Sequence, residues 1–283
     1  MSVSEDSTAA WLYRRARKLP AAQTAQTSDT AAADPAQRLR RMHDLLLRAY
    51  GPQHWWPART SFEVILGAYL TQNTAWTAVE RSLTNLRAAG ALTLDGLRSI
   101  PVSELRRLIR PSGFITRKAP ALKAFVAMLD EEFSGSLQIL ADQPTTALRH
   151  RLLQLPGVGP ETADAILLYA LGHPIPVADE YLRRIAERHQ LLDLPANRSR
   201  ISYEALTDLT RRAFAADPAS GQTSLFNEFH ALTVAVGKAH CGRTARCEGC
   251  PLAAELRPGG ELSTRRPLRR GRSRAAASRA AVG

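Results

Sequence analysis

Residues 155–181 begin with LPGVGPETAD and end, after an apolar run, with VADEY. Leucines recur at helical spacing just before this segment, which predicts a helix over residues 145–154. Pro156 and the two glycines after it predict a tight reversal, and Pro160 predicts the start of the next helix. The segment is therefore predicted to form a helix, a glycine-rich hairpin and a second helix.

The hairpin is suited to bind a phosphate group. The backbone N–H groups of Gly157, Val158 and Gly159 are expected to point the same way as the positive end of the second helix. Contacts of this kind position a protein on DNA without reading its sequence. A Gly-x-Gly turn can also be an ordinary connection between two helices, so the hairpin alone leaves both interpretations open.

The longer pattern resembles the helix-hairpin-helix signature of the endonuclease III superfamily of DNA glycosylases. It consists of the hairpin, Thr162 with Ala163 and, beyond an apolar helix, Asp179. The resemblance implies that Gly157, Val158, Gly159 and Thr162 contact DNA. It also implies an all-α fold of two lobes with a DNA-binding cleft between them. Further similar segments are residues 62–66, 70–74, 112–114 and 118–119, and a loop with three cysteines.

The resemblance covers residues 38–256 and implies a division of the chain. Residues 62–173 would form a helical barrel lobe that contains the hairpin. Residues 38–61 and 174–256 would form the second helical lobe, which contains the cysteine loop. The segments outside, residues 1–37 and 257–283, are predicted to be disordered. The second of these has eight Arg and one acidic residue, and it either attracts phosphates without sequence preference or is a solvated end with no role.

Helical periodicity dominates the remaining sequence, and no strand alternation is strong enough to name. The predicted helices are residues 38–49, 76–89, 120–133, 179–189, 203–215 and 222–238, one that Ser103 caps and that ends near Arg110, and those that flank the hairpin.

The composition favours a nucleic-acid partner, since 38 Lys and Arg outnumber 26 Asp and Glu for a net charge of +12. No segment approaches the length of a membrane span, and the basic cluster at residues 14–18 is not followed by the apolar run of a secretory signal. We expect a monomeric cytoplasmic protein, associated with the nucleoid, that binds double-stranded DNA containing damaged bases.

Within the superfamily, the chain is most similar to the 3-methyladenine glycosylases of endonuclease III type. This resemblance implies that Trp55, Trp56 and Trp76 line the pocket for the extruded base. Electron-poor alkylated purines stack favourably on electron-rich aromatic faces. Structural packing is the alternative role of each tryptophan. The segments that show this similarity are residues 50–51, 55–57, 71–76 and 161–167.

Asp179 is the candidate catalytic residue. A glycosylase needs an ionised carboxylate to stabilise positive charge on the deoxyribose as the base leaves, or to deprotonate the attacking water. The alternative is that Asp179 only caps the helix that follows it. Both roles are compatible, because a helix N-terminus favours an ionised carboxylate.

Glu161 departs from the pattern of those superfamily members that also cleave the DNA strand. These members have a lysine at this position, whose amine attacks the sugar and forms a Schiff base. A carboxylate cannot do this, so we predict a monofunctional enzyme without AP lyase activity. Glu161 either borders the base pocket or only favours the first turn of its helix.

Gln72 and Asn73 lie in the loop that, by resemblance, fills the gap left by an extruded base. Their amides can hydrogen-bond the orphaned partner base, and Asn73 is slightly preferred for this role. A polar turn without a DNA contact is the alternative.

Cys241, Cys247 and Cys250 resemble the iron–sulfur loop of the superfamily, which implies a [4Fe–4S] cluster. The fourth cysteine would fall near Leu256, and the sequence has none there. Clusters normally take four thiolates, so either His240 or a carboxylate such as Glu255 completes the site, or one iron stays open. The alternative is a loop that keeps its shape without metal. No organic cofactor is expected.

Three functions follow from this sequence. The preferred one is base-excision repair by hydrolysis of the N-glycosidic bond of a flipped alkylated purine such as 3-methyladenine. The second is an endonuclease III-like glycosylase for oxidised pyrimidines or other lesions. The third is a DNA-binding relative without catalytic activity, against which Asp179 argues.

Overall fold

The computed structural model describes residues 34–53, 55, 60–193 and 200–257. Within these ranges the chain is helical, and its isolated bridge between Cys241 and Ala245 belongs to no strand. The helices are α1 (Pro35–Tyr50), α2 (Ser61–Thr71), α3 (Trp76–Ala88), α4 (Leu94–Ser99), α5 (Val102–Leu108), α6 (Ile115–Phe133), α7 (Leu137–Ala141), α8 (Thr145–Leu153), α9 (Pro160–Ala165), α10 (Glu180–Arg188), α11 (Tyr203–Ala213) and α12 (Gln222–Ala239). The predicted all-α class is confirmed.

Where a helix was predicted, its boundaries agree closely with those observed, with one clear exception, while α4 and α7 were not predicted. Helix α6 begins at Ile115, five residues before its predicted start, and contains Pro120. Phe114, in the left-handed conformation, precedes it with φ 48°. A proline near the start of a helix removes one intrahelical hydrogen bond, and the 19-residue length of α6 tolerates this loss.

Two groups of helices surround the candidate site. Helix α1 packs against α11 and α12, and α10 packs against α12 and α11. In the other group, α2 packs against α3, α6 and the π-helical turn Ile166–Ala170 that extends α9. The same π-helical turn contacts α12, so the hairpin helix connects the two groups.

Helices α10 and α12 cross closely at Gly237. A Cβ atom at Gly237 would lie 2.1 Å from Cδ1 of Tyr181, so a larger residue could not occupy this position without movement of the ring. This crossing brings Asp179, at the start of α10, near His230 on α12. The position of the catalytic candidate therefore depends on the absence of a side chain at residue 237.

None of the helices in the described ranges has both the length and the apolar character needed to span a membrane. The segments 1–33 and 258–283, which include nearly all of both predicted disordered ends, lie outside the described residues.

Candidate active site and nucleic-acid interface

The hairpin between α8 and α9 has the predicted conformation. Gly157 adopts φ +77°, which favours glycine, while Gly159 is extended and caps α9 ahead of Pro160. The N–H group of Val158 donates to the carbonyl of Leu155 at 3.2 Å, and its side chain is buried. Val158 therefore supports the turn from inside, and its N–H group is already engaged there.

Gln72 links the loop after α2 to the hairpin. Its Nε2 donates to the carbonyl oxygen of Gly157 and to Oγ1 of Thr162, both at 2.8 Å. The adjacent Asn73 is exposed and left-handed, with φ 51°. The two amides thus differ in their surroundings. Gln72 attaches the loop to the hairpin through hydrogen bonds, whereas Asn73 is exposed to solvent.

Lys118, on α6, holds the same loop through hydrogen bonds. Its ammonium group, on a side chain that is almost fully buried, donates to the carbonyls of Leu70 at 2.7 Å and Ser112 at 2.9 Å. It also donates to Oγ1 of Thr74 at 2.8 Å. Burial lowers the pKa of Lys118 to about 8. These bonds fix the segment that presents Gln72 and Asn73.

Phe114 is a candidate DNA contact that was not predicted from the sequence. Its ring is 58% exposed, although large apolar side chains usually pack inside. It borders a hollow beside the hairpin together with Asn73, Arg117 and Gly157. The sequence offered a signal, because an aromatic residue directly follows Gly113 in a predicted turn.

Asp179 is the N-cap of α10, as its alternative role predicted. Its Oδ1 accepts a hydrogen bond from the backbone N–H of Leu182 at 2.8 Å. Its Oδ2 lies 3.7 Å from Nε2 of His230, and the side chain is only 11% exposed. The cap uses one carboxylate oxygen, while the second oxygen faces His230.

The side chains of His230 and Tyr169 form a hydrogen-bonded pair next to Asp179, and this pair makes up the inner wall of the candidate site. The Tyr169 hydroxyl and Nδ1 of His230 are 2.5 Å apart. Burial raises the pKa of Tyr169 well above its usual value, and the Asp179 carboxylate adds to this rise. Neither residue was predicted as part of the site, since their positions 61 residues apart show no spacing signal.

Trp55 packs edge-on against this wall. Its ring centroid is 5.4 Å from that of His230 and 6.0 Å from that of Tyr169. Among the predicted pocket tryptophans in the described ranges, Trp55 is thus the one with ring contacts to His230 and Tyr169. Trp56 lies outside the described residues.

Glu161, in the first turn of α9, joins the same group. Its surroundings raise its pKa to about 7, first by burial of the carboxyl and then by the Asp179 carboxylate, although the residue stays open to solvent on one side. His230 acts in the opposite direction. The structure therefore brings together two carboxyl groups that are 18 positions apart in the sequence.

Two further candidate side chains, those of Lys238 and Trp76, belong to α12 and α3. Burial lowers the pKa of Lys238, while Asp179 and Glu80 both raise it, so this amine lies within electrostatic reach of both carboxylates. Trp76 is half-buried at the start of α3, one helical turn before Glu80. Its indole packs partly against the hydrophobic core.

The three cysteines line a separate hollow at the end of α10, together with Leu256. Cys241 is buried, and its Sγ accepts a hydrogen bond from Nη1 of Arg188 at 3.0 Å. Burial raises the pKa of Cys250, and the other two cysteines raise it further. No group of three potential ligands in the described residues is arranged to hold a single metal ion. Three thiols around one hollow suit three corners of a larger cluster.

A sequence profile of the HhH-GPD superfamily of base excision DNA repair proteins matches residues 66–211, more than half of the chain. The chain belongs to the HhH-GPD superfamily. The matched residues include the hairpin, Glu161 and Asp179, so the site described above lies mostly inside the family's own region.

Relatives of this HhH-GPD protein are known from sequence and structure. The protein MJ1434 of Methanocaldococcus jannaschii, provisionally named a DNA repair glycosylase, is 35% identical over 217 residues, which are 76% of this chain and 94% of that protein. The structure of the H. pylori 3-methyladenine DNA glycosylase MagIII bound to 1,N6-ethenoadenine is 28% identical, with a TM-score of 0.61 over 73% of this chain and 98% of that one. A trapped endonuclease III–DNA covalent intermediate has a TM-score of 0.62 at 22% identity, over 79% of this chain and 96% of that one, and shows the shared fold.

The predicted family and its two-lobed helical fold are thus confirmed. The HhH-GPD protein is a DNA glycosylase of the base excision repair type, and its partner is DNA.

Proposed function

We propose that this HhH-GPD protein is a monofunctional, monomeric DNA N-glycosylase that releases alkylated purines such as 3-methyladenine from duplex DNA. It hydrolyses the N-glycosidic bond and leaves an intact abasic site. The observation that supports this most directly is that Glu161, within electrostatic range of Asp179, occupies the position where a strand-cleaving enzyme needs an amine.

Asp179 supplies the negative charge that the reaction needs. As the base leaves, the deoxyribose becomes positively charged, and a fixed carboxylate stabilises this charge best when little water surrounds it. The Asp179 side chain is 11% exposed and held by its bond from Leu182, so it is both shielded and oriented. Its second oxygen can also accept a proton from the attacking water.

Glu161 extends this negative region toward the leaving base. Alkylation of a purine ring nitrogen makes the base electron-poor and, in 3-methyladenine nucleotides, positively charged. A second carboxylate near Asp179 favours such a base over a neutral one by Coulomb attraction. Trp55 and Trp76 then provide aromatic faces on which the base stacks, and Trp56 is proposed to share this role.

The hairpin and its neighbouring loop hold the DNA. Gly157 and Gly159 supply N–H groups and Thr162 a hydroxyl for one backbone phosphate. Asn73 and Phe114, both exposed beside the hairpin, occupy the gap that the extruded base leaves, while Gln72 keeps their loop in position. Arg117 in the same hollow adds a positive charge next to the strand.

Base release from a lesion panel tests this function. Duplexes that contain 3-methyladenine, 1,N6-ethenoadenine, thymine glycol or a G·T mismatch are incubated with the full chain, and free bases are separated from DNA. We expect release of the alkylated purines and strands that break only after added alkali. Preferential release of thymine glycol or of mismatched thymine would replace the alkylpurine assignment by the endonuclease III-like alternative.

Borohydride trapping tests the monofunctional mechanism separately. We expect no covalent adduct with the natural chain. Lys238 is the amine that the structure places near Asp179, so a Lys238→Met variant is the matched control. An abundant adduct in the natural chain that disappears in Lys238→Met would show strand-cleaving chemistry through this lysine and overturn the proposal.

A further inference from the structure

The hollow lined by the three cysteines also contains two histidines. His189 follows the last residue of α10, and His240 precedes Cys241 at the end of α12. Iron–sulfur clusters are held by thiolates, and imidazole nitrogens replace thiolates in some of them. The donor set around this hollow is therefore three thiols and two imidazoles.

His189 has a buried nitrogen that no described residue satisfies. The residue is 4% exposed, and its Nδ1 has no hydrogen-bond partner within the described part of the chain. The ring does hydrogen-bond to the backbone of Glu255. A ring nitrogen that is buried without a partner is costly. Histidines that bind metal characteristically donate their other nitrogen to a backbone carbonyl, as His189 does here.

His189 lines the same hollow as Leu256, the position of the missing fourth cysteine. The fourth thiolate is missing at Leu256, and the backbone to which His189 hydrogen-bonds is that of the preceding residue, Glu255. His240 differs in that its Nδ1 is 2.9 Å from the carbonyl oxygen of Arg246 and so already has a partner. Of the two histidines, His189 is thus the one whose buried ring nitrogen has no partner among the described residues.

We propose that Cys241, Cys247, Cys250 and Nδ1 of His189 bind one [4Fe–4S] cluster. When bound, the cluster crosslinks the end of α10 to the cysteine loop and stabilises that part of the fold. Arg188 already donates hydrogen bonds to Cys241 Sγ and to the carbonyls of Gly242 and Arg243, so the loop is shaped around this position. The proposal is independent of which base the enzyme releases.

Reconstitution of the full chain tests the cluster itself. The purified protein is incubated without oxygen with ferrous iron and sulfide, and bound iron, sulfide and charge-transfer absorbance are measured. We expect one cluster per chain and, in pulsed EPR of its paramagnetic state, hyperfine coupling to one histidine nitrogen. A folded, DNA-binding chain that takes up no cluster, or a cluster without nitrogen coupling, would overturn the proposal.

Three variants identify the ligand. His189→Ala should lose the nitrogen coupling and hold less iron, whereas the matched control His240→Ala should keep both. His189→Cys should keep the cluster, lose the coupling and shift the reduction potential downward, because a thiolate is more electron-donating than imidazole. Because His189→Cys restores a full set of thiolates, it gives a result even if His189→Ala folds poorly. Loss of the coupling in His240→Ala, or its persistence in His189→Cys, would contradict the assignment.

Discussion

His230 Nε2 lies 3.7 Å from Asp179 Oδ2, while Nδ1 of the same ring is 2.5 Å from the hydroxyl of Tyr169. The imidazole thus connects a partly buried tyrosine of the π-helical turn after α9 to the carboxylate at the start of α10. An imidazole oriented by one partner can hold a carboxylate in position through its other nitrogen. We infer that His230 positions Asp179 for the reaction.

Replacement of this histidine should slow base release without weakening DNA binding. In His230→Gln we expect the single-turnover rate to fall about tenfold, equivalent to about 1.4 kcal/mol of transition-state stabilisation. The dissociation constant for damaged DNA, measured by fluorescence anisotropy, should stay the same because the hairpin is unchanged. Tyr169→Phe removes only the hydroxyl and should give a smaller loss in the same direction. Equal rates in His230→Gln and the natural chain would refute a positioning role.

Two substitutions at Asp179 should separate helix capping from chemistry. Asparagine also caps helices, so Asp179→Asn should keep the melting temperature while the rate of base release falls by about 10²–10³-fold. Asp179→Ala should show the same loss of rate and, in addition, a loss of about 1 kcal/mol in the free energy of unfolding. Base release and thermal unfolding of both variants provide the measurements. An active Asp179→Asn variant would move the catalytic role to another residue.

Glu161 should make the release of cationic bases depend on pH. Its pKa is about 7, so the carboxyl ionises as the pH rises through this value and then attracts a positively charged base. We expect kcat/KM for 3-methyladenine to rise with pH through about 7 in the natural chain and to stay flat in Glu161→Gln. A neutral substrate is the internal control, and its kcat/KM should lack this step. Identical profiles for the natural chain and Glu161→Gln would exclude Glu161 from the pocket.

The Glu161 carboxyl should also make the stability of the folded chain decrease as the pH rises. Its pKa is raised from an ordinary value of 4.5 to about 7, so the folded chain binds more protons than the unfolded chain between these two pH values. Stability is therefore lost as the pH rises through this window. Glu161→Gln cannot ionise, and its melting temperature should fall less than that of the natural chain over the same range.

The close crossing of α10 and α12 should not tolerate a side chain at Gly237. In Gly237→Ala the new Cβ would overlap the Tyr181 ring, and overpacking of this kind costs about 1–3 kcal/mol of stability. Because α10 begins next to Asp179, base release should also slow. Gly221→Ala is the matched control, since a Cβ at that position meets no atom within 4 Å. The Gly237→Ala/Tyr181→Ala double variant should recover part of the loss if the overlap is its cause.

The helices, the hairpin and the family were predictable because they depend on local patterns. Leucine spacing predicted α8, Pro160 predicted the start of α9, and the segment around Asp179 predicted the following helix. Each of these features is encoded by residues within about one or two helical turns of one another. The predicted start of α6 was wrong by five residues, because the helix begins directly after the left-handed residue Phe114 and continues through Pro120.

The amino-acid sequence by itself determined the all-α class, the superfamily and the candidates Asp179 and Glu161. Only the tertiary structure decided that these two carboxyl groups share one environment, that His230 and Tyr169 stand behind Asp179, and that His189 faces the cysteine hollow. These relationships join residues from different helices, and their distances depend on how the helices pack. Side-chain contacts across a helix crossing such as that at Gly237 have no counterpart in local sequence spacing.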